Sequence, residues 1–227
     1  MNSLRVLSRL KLRLQQSMLE TAPQVEVAGI PVFDWEVSAP DDRTRIFHTA
    51  GAAIESIRAA SPLQFRRVQR SIRRIVEYLP GANGIYCSDR EAAVLSKDMV
   101  LRDGPWQAAL TIIHEATHAH LALKGYEYTE EKRGQIERIC RKRELAHIRC
   151  FEGEEGVAEW ITWMHARLDD AGATDDELRS SHRQRLLLQM KYNGAPEALL
   201  RLLAWLAAQS DKRRAAKDAR LAPRRGA

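Results

Sequence analysis

His114-Glu115-Ala116-Thr117-His118 constrains this chain more than any other stretch. A helix turns about 100° per residue, so the two histidines stand about 40° apart, one turn above each other, and both imidazoles reach a single ion. That spacing is the His-Glu-x-x-His pattern of zinc-binding helices. Glu115 flanks the pair, near enough to hydrogen-bond a water on the metal but turned away from ligating it, which makes it the candidate general base. The frame predicts a helix over residues 106–123, with Asp103 to cap it, Pro105 in its first turn and Gly125 to stop it. Ile112, Ala116, Ala119 and Leu123 form an apolar stripe opposite the histidines, so one face packs into a core while the other presents nitrogen.

Two histidines leave zinc short of a third protein ligand, with water in the fourth position of a catalytic site. His120 points about 140° away from the bisector of the pair and is excluded by helix geometry. The acidic run Glu152-Gly153-Glu154-Glu155-Gly156-Val157-Ala158-Glu159 is the expected source. Glu155 and Glu159 share a helix face, so one can bind the metal while the other accepts a hydrogen bond from the outward nitrogen of a ligating histidine. Glu152 and Glu154 stay open as alternatives.

His-Glu-Ala-Thr-His, 35 intervening residues, then Glu-Glu-Gly-Val-Ala-Glu resembles the gluzincin branch of zinc metallopeptidases, whose downstream helix offers Asn-Glu-x-x-Ser-Asp. The resemblance implies a zincin-like fold, one Zn2+ on His114, His118 and Glu155, and Glu159 in the place of the aspartate that steadies a ligating histidine. Its implied activity is peptide-bond hydrolysis: Glu115 takes a proton from a zinc-bound water and later passes it to the leaving amine. The metzincin pattern fails, because Leu121 and Lys124 stand where its glycine and third histidine belong. The oxyanion donor stays open among Tyr126, Tyr128, His120 and His147.

A net charge of +6 suggests nucleic acid until it is located. Residues 209–227 hold seven basic and two acidic side chains, so most of the excess sits in a tail that reads as solvated and disordered. Arg66, Arg67, Arg70, Arg73 and Arg74 add a basic helix face. These features carry the competing reading, a catalytically silent zincin-like protein that binds a protein or nucleic acid through basic helices and tail. Cys87, Cys140 and Cys150 cannot all pair and match no common zinc template, which predicts reduced thiols in a cytoplasmic protein. No stretch approaches the ~20 apolar residues of a membrane span.

Leucine and basic residues alternate through 1–22, predicting an amphipathic docking helix; 23–208 is the expected zincin-like domain and 209–227 the tail. Within the domain, 25–37 reads as a hairpin or edge strand. Ser61-Pro62-Leu63-Gln64 opens a helix that carries Phe65, Val68, Ile72, Ile75 and Val76 up to Pro80. Strand-like runs at 85–88, 93–95 and 99–101 predict a small antiparallel sheet just before the metal helix, its edge open to an extended peptide. A long helix follows from Thr129 to about Cys150, and a capping box at Thr174 opens another. Leu199–Leu206 is apolar nearly all round, which predicts burial in the chain or against a second copy. The whole is a mostly helical α+β architecture.

Overall fold

The computed structural model describes residues 21–35, 37–77, 83–88, 91–168, 187, 196–206 and 209. All but the last two residues of the amphipathic helix expected in 1–22, the Thr174 capping box and nearly all of the basic tail lie outside them. The chain divides into two compact units, Met1–Ala173 and Thr174–Ala227. In the second, residues 197–206 are helical, with Leu202 and Trp205 exposed.

The first unit is α+β. Strand β1 (Gln24–Val27) returns as β2 (Ile30–Asp34) through a turn in which Ala28 and Gly29 both have positive φ, the geometry that matches strand twist in a two-residue hairpin. Helices α1 (Pro40–Ala60) and α2 (Pro62–Ser71) follow, each with proline in its first turn, then β3 (Arg74–Glu77), β4 (Gly84–Cys87) and β5 (Ala92–Leu95). The sheet order is β1-β2-β3-β5-β4.

This sheet is mixed, where the sequence suggested an antiparallel one. Because α1 and α2 carry the chain over between β2 and β3, those two strands run parallel, as do β3 and β5; only the flanking hairpins are antiparallel. The helix expected to reach Pro80 stops at Ser71 for the same reason. Ile72 is already extended, and Ile75 and Val76 fill a central strand with both faces covered, where β-branched side chains pack well. The five arginines therefore do not share one helix face.

Val32, Ile75, Ala93 and Leu95 line the sheet face against α1, α2 and helix α3 (Lys97–Leu123), forming the main core. Met99, Val100 and Leu101, expected as strand, are the first turns of α3. Ser96 caps them by accepting a hydrogen bond from the Met99 amide at 3.2 Å. Gly104, at φ 75° and ψ −169°, breaks α3, and Pro105 restarts it in the position proline tolerates. Gly125, with φ 80°, follows its end.

Beyond α3, helix α4 (Arg133–Ile148) leads through a short 3-10 turn into α5 (Val157–Ala166). Leu110, Leu145, Ile148, Val157 and Met164 pack these helices together. Helix α3 is thus held between sheet and α4; His114 and His118 lie on the α4 side, and Glu115 packs against β4 at Gly84. No helix among the described residues is long and apolar enough to cross a membrane.

Candidate metal centre

His114 and His118 point the same way. Their ring centroids are 4.8 Å apart and their Nε2 atoms 3.1 Å apart. Ala108, Ala109, Ile112, Ile113, Ala116 and Ala119 of α3 are buried in the core, fixing the helix rotation that presents the rings. Leu123, assigned to that apolar face from sequence, is 62% exposed because it ends the helix beyond the core.

The carboxylates that meet the histidines come from α4. Glu137 Oε2 lies 3.4 Å from His114 Nε2, and Glu137 Oε1 lies 3.4 Å from His118 Nε2. Glu144 Oε1 accepts from His114 Nδ1 at 2.5 Å. Two turns of α4 separate the acids, so they share a face, and both are at least nine-tenths buried. Tyr128, in the loop before α4, donates to Glu137 Oε1 at 2.6 Å and sets its ring edge against His118.

Glu155 and Glu159, the expected ligand and its supporting acid, are not brought to the pair. The chain turns through Gly153 and Gly156, both at positive φ, and α5 begins only at Val157. Glu155 therefore lies exposed in a turn and does not share a helix face with Glu159, itself exposed. Glu152 and Glu154 are exposed in the same turn. Of the oxyanion candidates, Tyr126 is exposed, and His147 is hydrogen-bonded to Ser61 Oγ at 2.9 Å and packed on Trp106 and Phe151. His120 sits where burial, Arg67 and Lys124 lower its pKa. Only Tyr128 touches the centre.

Charge states follow from these contacts. Burial alone would raise the Glu137 carboxyl, but hydrogen bonds from His114, His118 and Tyr128 hold it far below its ordinary value. Burial would lower His114, yet Glu137 and Glu144 outweigh it and keep the ring well above its usual pKa. Glu115 is raised by burial, with the two histidines pulling against that.

Cys140 offers a competing donor. Its sulfur and the two histidine nitrogens lie within 4.8 Å of one another, so this group could hold a metal. Glu137 sets one oxygen 3.4 Å from each histidine Nε2 and is held anionic by those contacts, whereas burial raises the Cys140 thiol far above its ordinary value.

A cavity of about 260 Å³ opens beside His114 and Glu115, lined also by Gly84, Thr111, Arg141 and Glu144, by Trp163 of α5 and by Arg167 just after it. Gly84 is close-packed: a Cβ there would stand 2.5 Å from Thr111 Cγ2 and 3.0 Å from Glu115 Oε1. Comparison of the chain with protein-family models, curated proteins and solved structures gives no match.

Proposed function

We propose that this chain is a zinc-dependent metallopeptidase of zincin-like architecture, in which His114, His118 and Glu137 hold one Zn2+ and Glu115 is the general base. The triangle of donor atoms supports this reading most strongly. Tetrahedral zinc with bonds of about 2.0–2.1 Å separates its ligand atoms by about 3.3–3.4 Å. The two Nε2 atoms stand 3.1 Å apart, and Glu137 sets one oxygen against each of them, Oε2 at 3.4 Å from His114 and Oε1 at 3.4 Å from His118. Two imidazoles and one carboxylate are also the donor set that leaves zinc a position for water.

Bound there, zinc would supply Lewis acidity, polarising a peptide carbonyl and making water a stronger acid. The chain's own residues do the rest. Glu144 accepts the Nδ1 proton of His114 and so keeps the Nε2 lone pair turned inward. Glu137 offsets part of the cation's charge, and Tyr128 fixes its rotamer. Glu115, whose pKa burial raises, takes a proton from the attacking water and delivers it to the departing amine nitrogen. Strand β4 is at the sheet edge, and Gly84 brings that edge to the cavity. An extended peptide can lie along it as an added strand, its backbone held by main-chain hydrogen bonds.

Metal analysis and peptide hydrolysis test the reading together. The purified chain should carry about one zinc, Glu137→Gln should bind it far more weakly, and Glu115→Gln should keep the metal while losing about 10²-fold or more in rate. Absence of zinc, with His114→Ala as stable as wild type, would sink the proposal, as would a Glu115→Gln variant that hydrolyses peptides at the wild-type rate.

A further inference from the structure

Helix α4 brings a thiol to the histidine pair as well as carboxylates, and the chemistry proposed above does not use it. Cys140 follows Glu137 by three residues, so the two side chains leave neighbouring positions on one face of α4. The Cys140 sulfur lies within 4.8 Å of a ring nitrogen of His114 and of His118. The residue is wholly buried and packs with Leu121, Ile136 and Ile139. Burial raises the thiol, and Glu137, Glu115 and Glu144 add to the effect, which places the sulfur among the acids of the centre.

Zinc holds a thiolate at about 2.3 Å and an imidazole at about 2.0–2.1 Å, which sets sulfur and nitrogen about 3.6 Å apart in a tetrahedron. Starting within 4.8 Å, the sulfur has to close by at most about 1.2 Å, a side-chain adjustment rather than a movement of α4. His114, His118 and Glu137 fill three positions, and the fourth is the one that hydrolysis needs for water. We infer that Cys140 takes that fourth position in the resting protein, so that the centre is latent and admits water only when the sulfur is displaced. Thiolate is among zinc's preferred ligands and carries a charge that water lacks. As the sulfur–metal bond forms, the thiol proton leaves to bulk solvent, because coordination deprotonates a thiol even where burial opposes it. No electron changes hands. The inference rests on the metallopeptidase reading for the presence of the metal and for the meaning of latency.

Cobalt(II) in place of zinc reports the ligands by absorption. A bound thiolate adds an intense sulfur-to-cobalt charge-transfer band in the near ultraviolet that nitrogen and oxygen ligands lack. Wild-type protein loaded with cobalt should show that band, and Cys140→Ser should lose it while keeping the weaker visible bands of a centre with two histidines and one carboxylate. In chelator competition Cys140→Ser and Cys140→Ala should bind zinc about tenfold or more weakly, at least what removal of a supporting residue costs. Both should hydrolyse peptides several-fold faster per bound zinc, since every centre is then open. Cobalt bound by wild type without the sulfur band overturns the latent centre and leaves the metallopeptidase standing, even if neither variant folds. The band together with equal hydrolysis per zinc in wild type and variants overturns the latency. The band together with zinc-loaded variants that hydrolyse nothing keeps Cys140 as a ligand and sinks the metallopeptidase. A wild-type chain that takes up neither metal overturns both.

Discussion

Replacing Gly84 by alanine tests whether strand β4 and the general base are packed as tightly as the structure has them. The new Cβ would meet Thr111 Cγ2 at 2.5 Å, Glu115 Oε1 at 3.0 Å and Glu115 Cγ at 3.2 Å, against a comfortable carbon–carbon contact of about 3.5–4.0 Å. Thr111 has to yield by more than ~1 Å and Glu115 by about half that. Thr111 cannot simply rotate, because its hydroxyl donates to the Gln107 carbonyl at 2.9 Å and sets its rotamer. Overpacking of this kind costs about 1–3 kcal/mol, and a catalytic group displaced by about 1 Å loses on the order of 10² in rate. A second substitution separates the effects. Thr111→Ser removes the offending methyl and keeps the hydroxyl bond, so Gly84→Ala/Thr111→Ser should regain most of the lost thermal stability while the Glu115 contact persists. Zinc content, unfolding temperature and peptide hydrolysis are read on wild type, single and double variants. We expect zinc retained throughout, stability lost and then regained, and hydrolysis low in both. Wild-type stability in Gly84→Ala, or hydrolysis restored in step with stability, would refute the packing of Gly84 on Glu115.

Two further perturbations follow. Glu144→Ala removes the acceptor of the His114 Nδ1 proton and should weaken zinc binding about 10–100-fold in a chelator competition, with Glu144→Gln weakened less because its amide oxygen still accepts; equal affinities for wild type and Glu144→Ala would count against the assignment. Glu77 sits fully buried on β3 with neither carboxylate oxygen hydrogen-bonded, and burial, reinforced by Asp34, raises its pKa well above the ordinary value. The folded chain then keeps a proton that the unfolded chain releases near pH 4.5, so this group's contribution falls as pH rises above that value toward the folded pKa. Its slope approaches about 1.4 kcal/mol per pH unit. Glu77→Gln should flatten urea-midpoint profiles above about pH 5 and be more stable than wild type at neutral pH; parallel profiles would contradict a protonated Glu77.

The parts of the fold that were legible share a local cause. Positive-φ glycines, prolines in first turns and apolar residues at helical spacing act within a few residues, so the β1–β2 hairpin, α1, the second half of α3 and the β4–β5 pair could be read from the chain. Ile72-Arg73-Arg74-Ile75-Val76 could not. Its apolar spacing continues a helix as well as it makes a strand, and what decides is the slot between β2 and β5, set by residues about forty positions before it and twenty after. The mixed sheet follows from the same choice, since a helical 72–76 would leave β2 and β5 nothing parallel to pair with. Met99-Val100-Leu101 failed for a smaller reason, a serine cap at Ser96 that outweighs β propensity.

The centre divides along the same line. His114, Glu115 and His118 depend on one helix and one turn, and their mutual placement is a matter of helical angle alone. Which carboxylate meets the pair depends on which helix crosses α3, and there the acidic run at 152–159 was a poor guide, because its glycine-flanked turn leaves the acids exposed. Helix α4 carried the better signal. Arg133, Glu137, Arg141 and Glu144 recur at three- and four-residue intervals beside Ile136 and Cys140, so the helix cannot bury its apolar stripe without burying charge. Buried charge is costly unless paired or bound to metal, and two glutamates seven residues apart need partners one or two turns apart on a facing helix. Histidines at 114 and 118 are partners of that kind. The eighteen residues between His118 and Glu137 are enough for the loop that turns α4 back across α3, so the acid that completes the triangle is the first one on the returning helix with its flank toward the histidines.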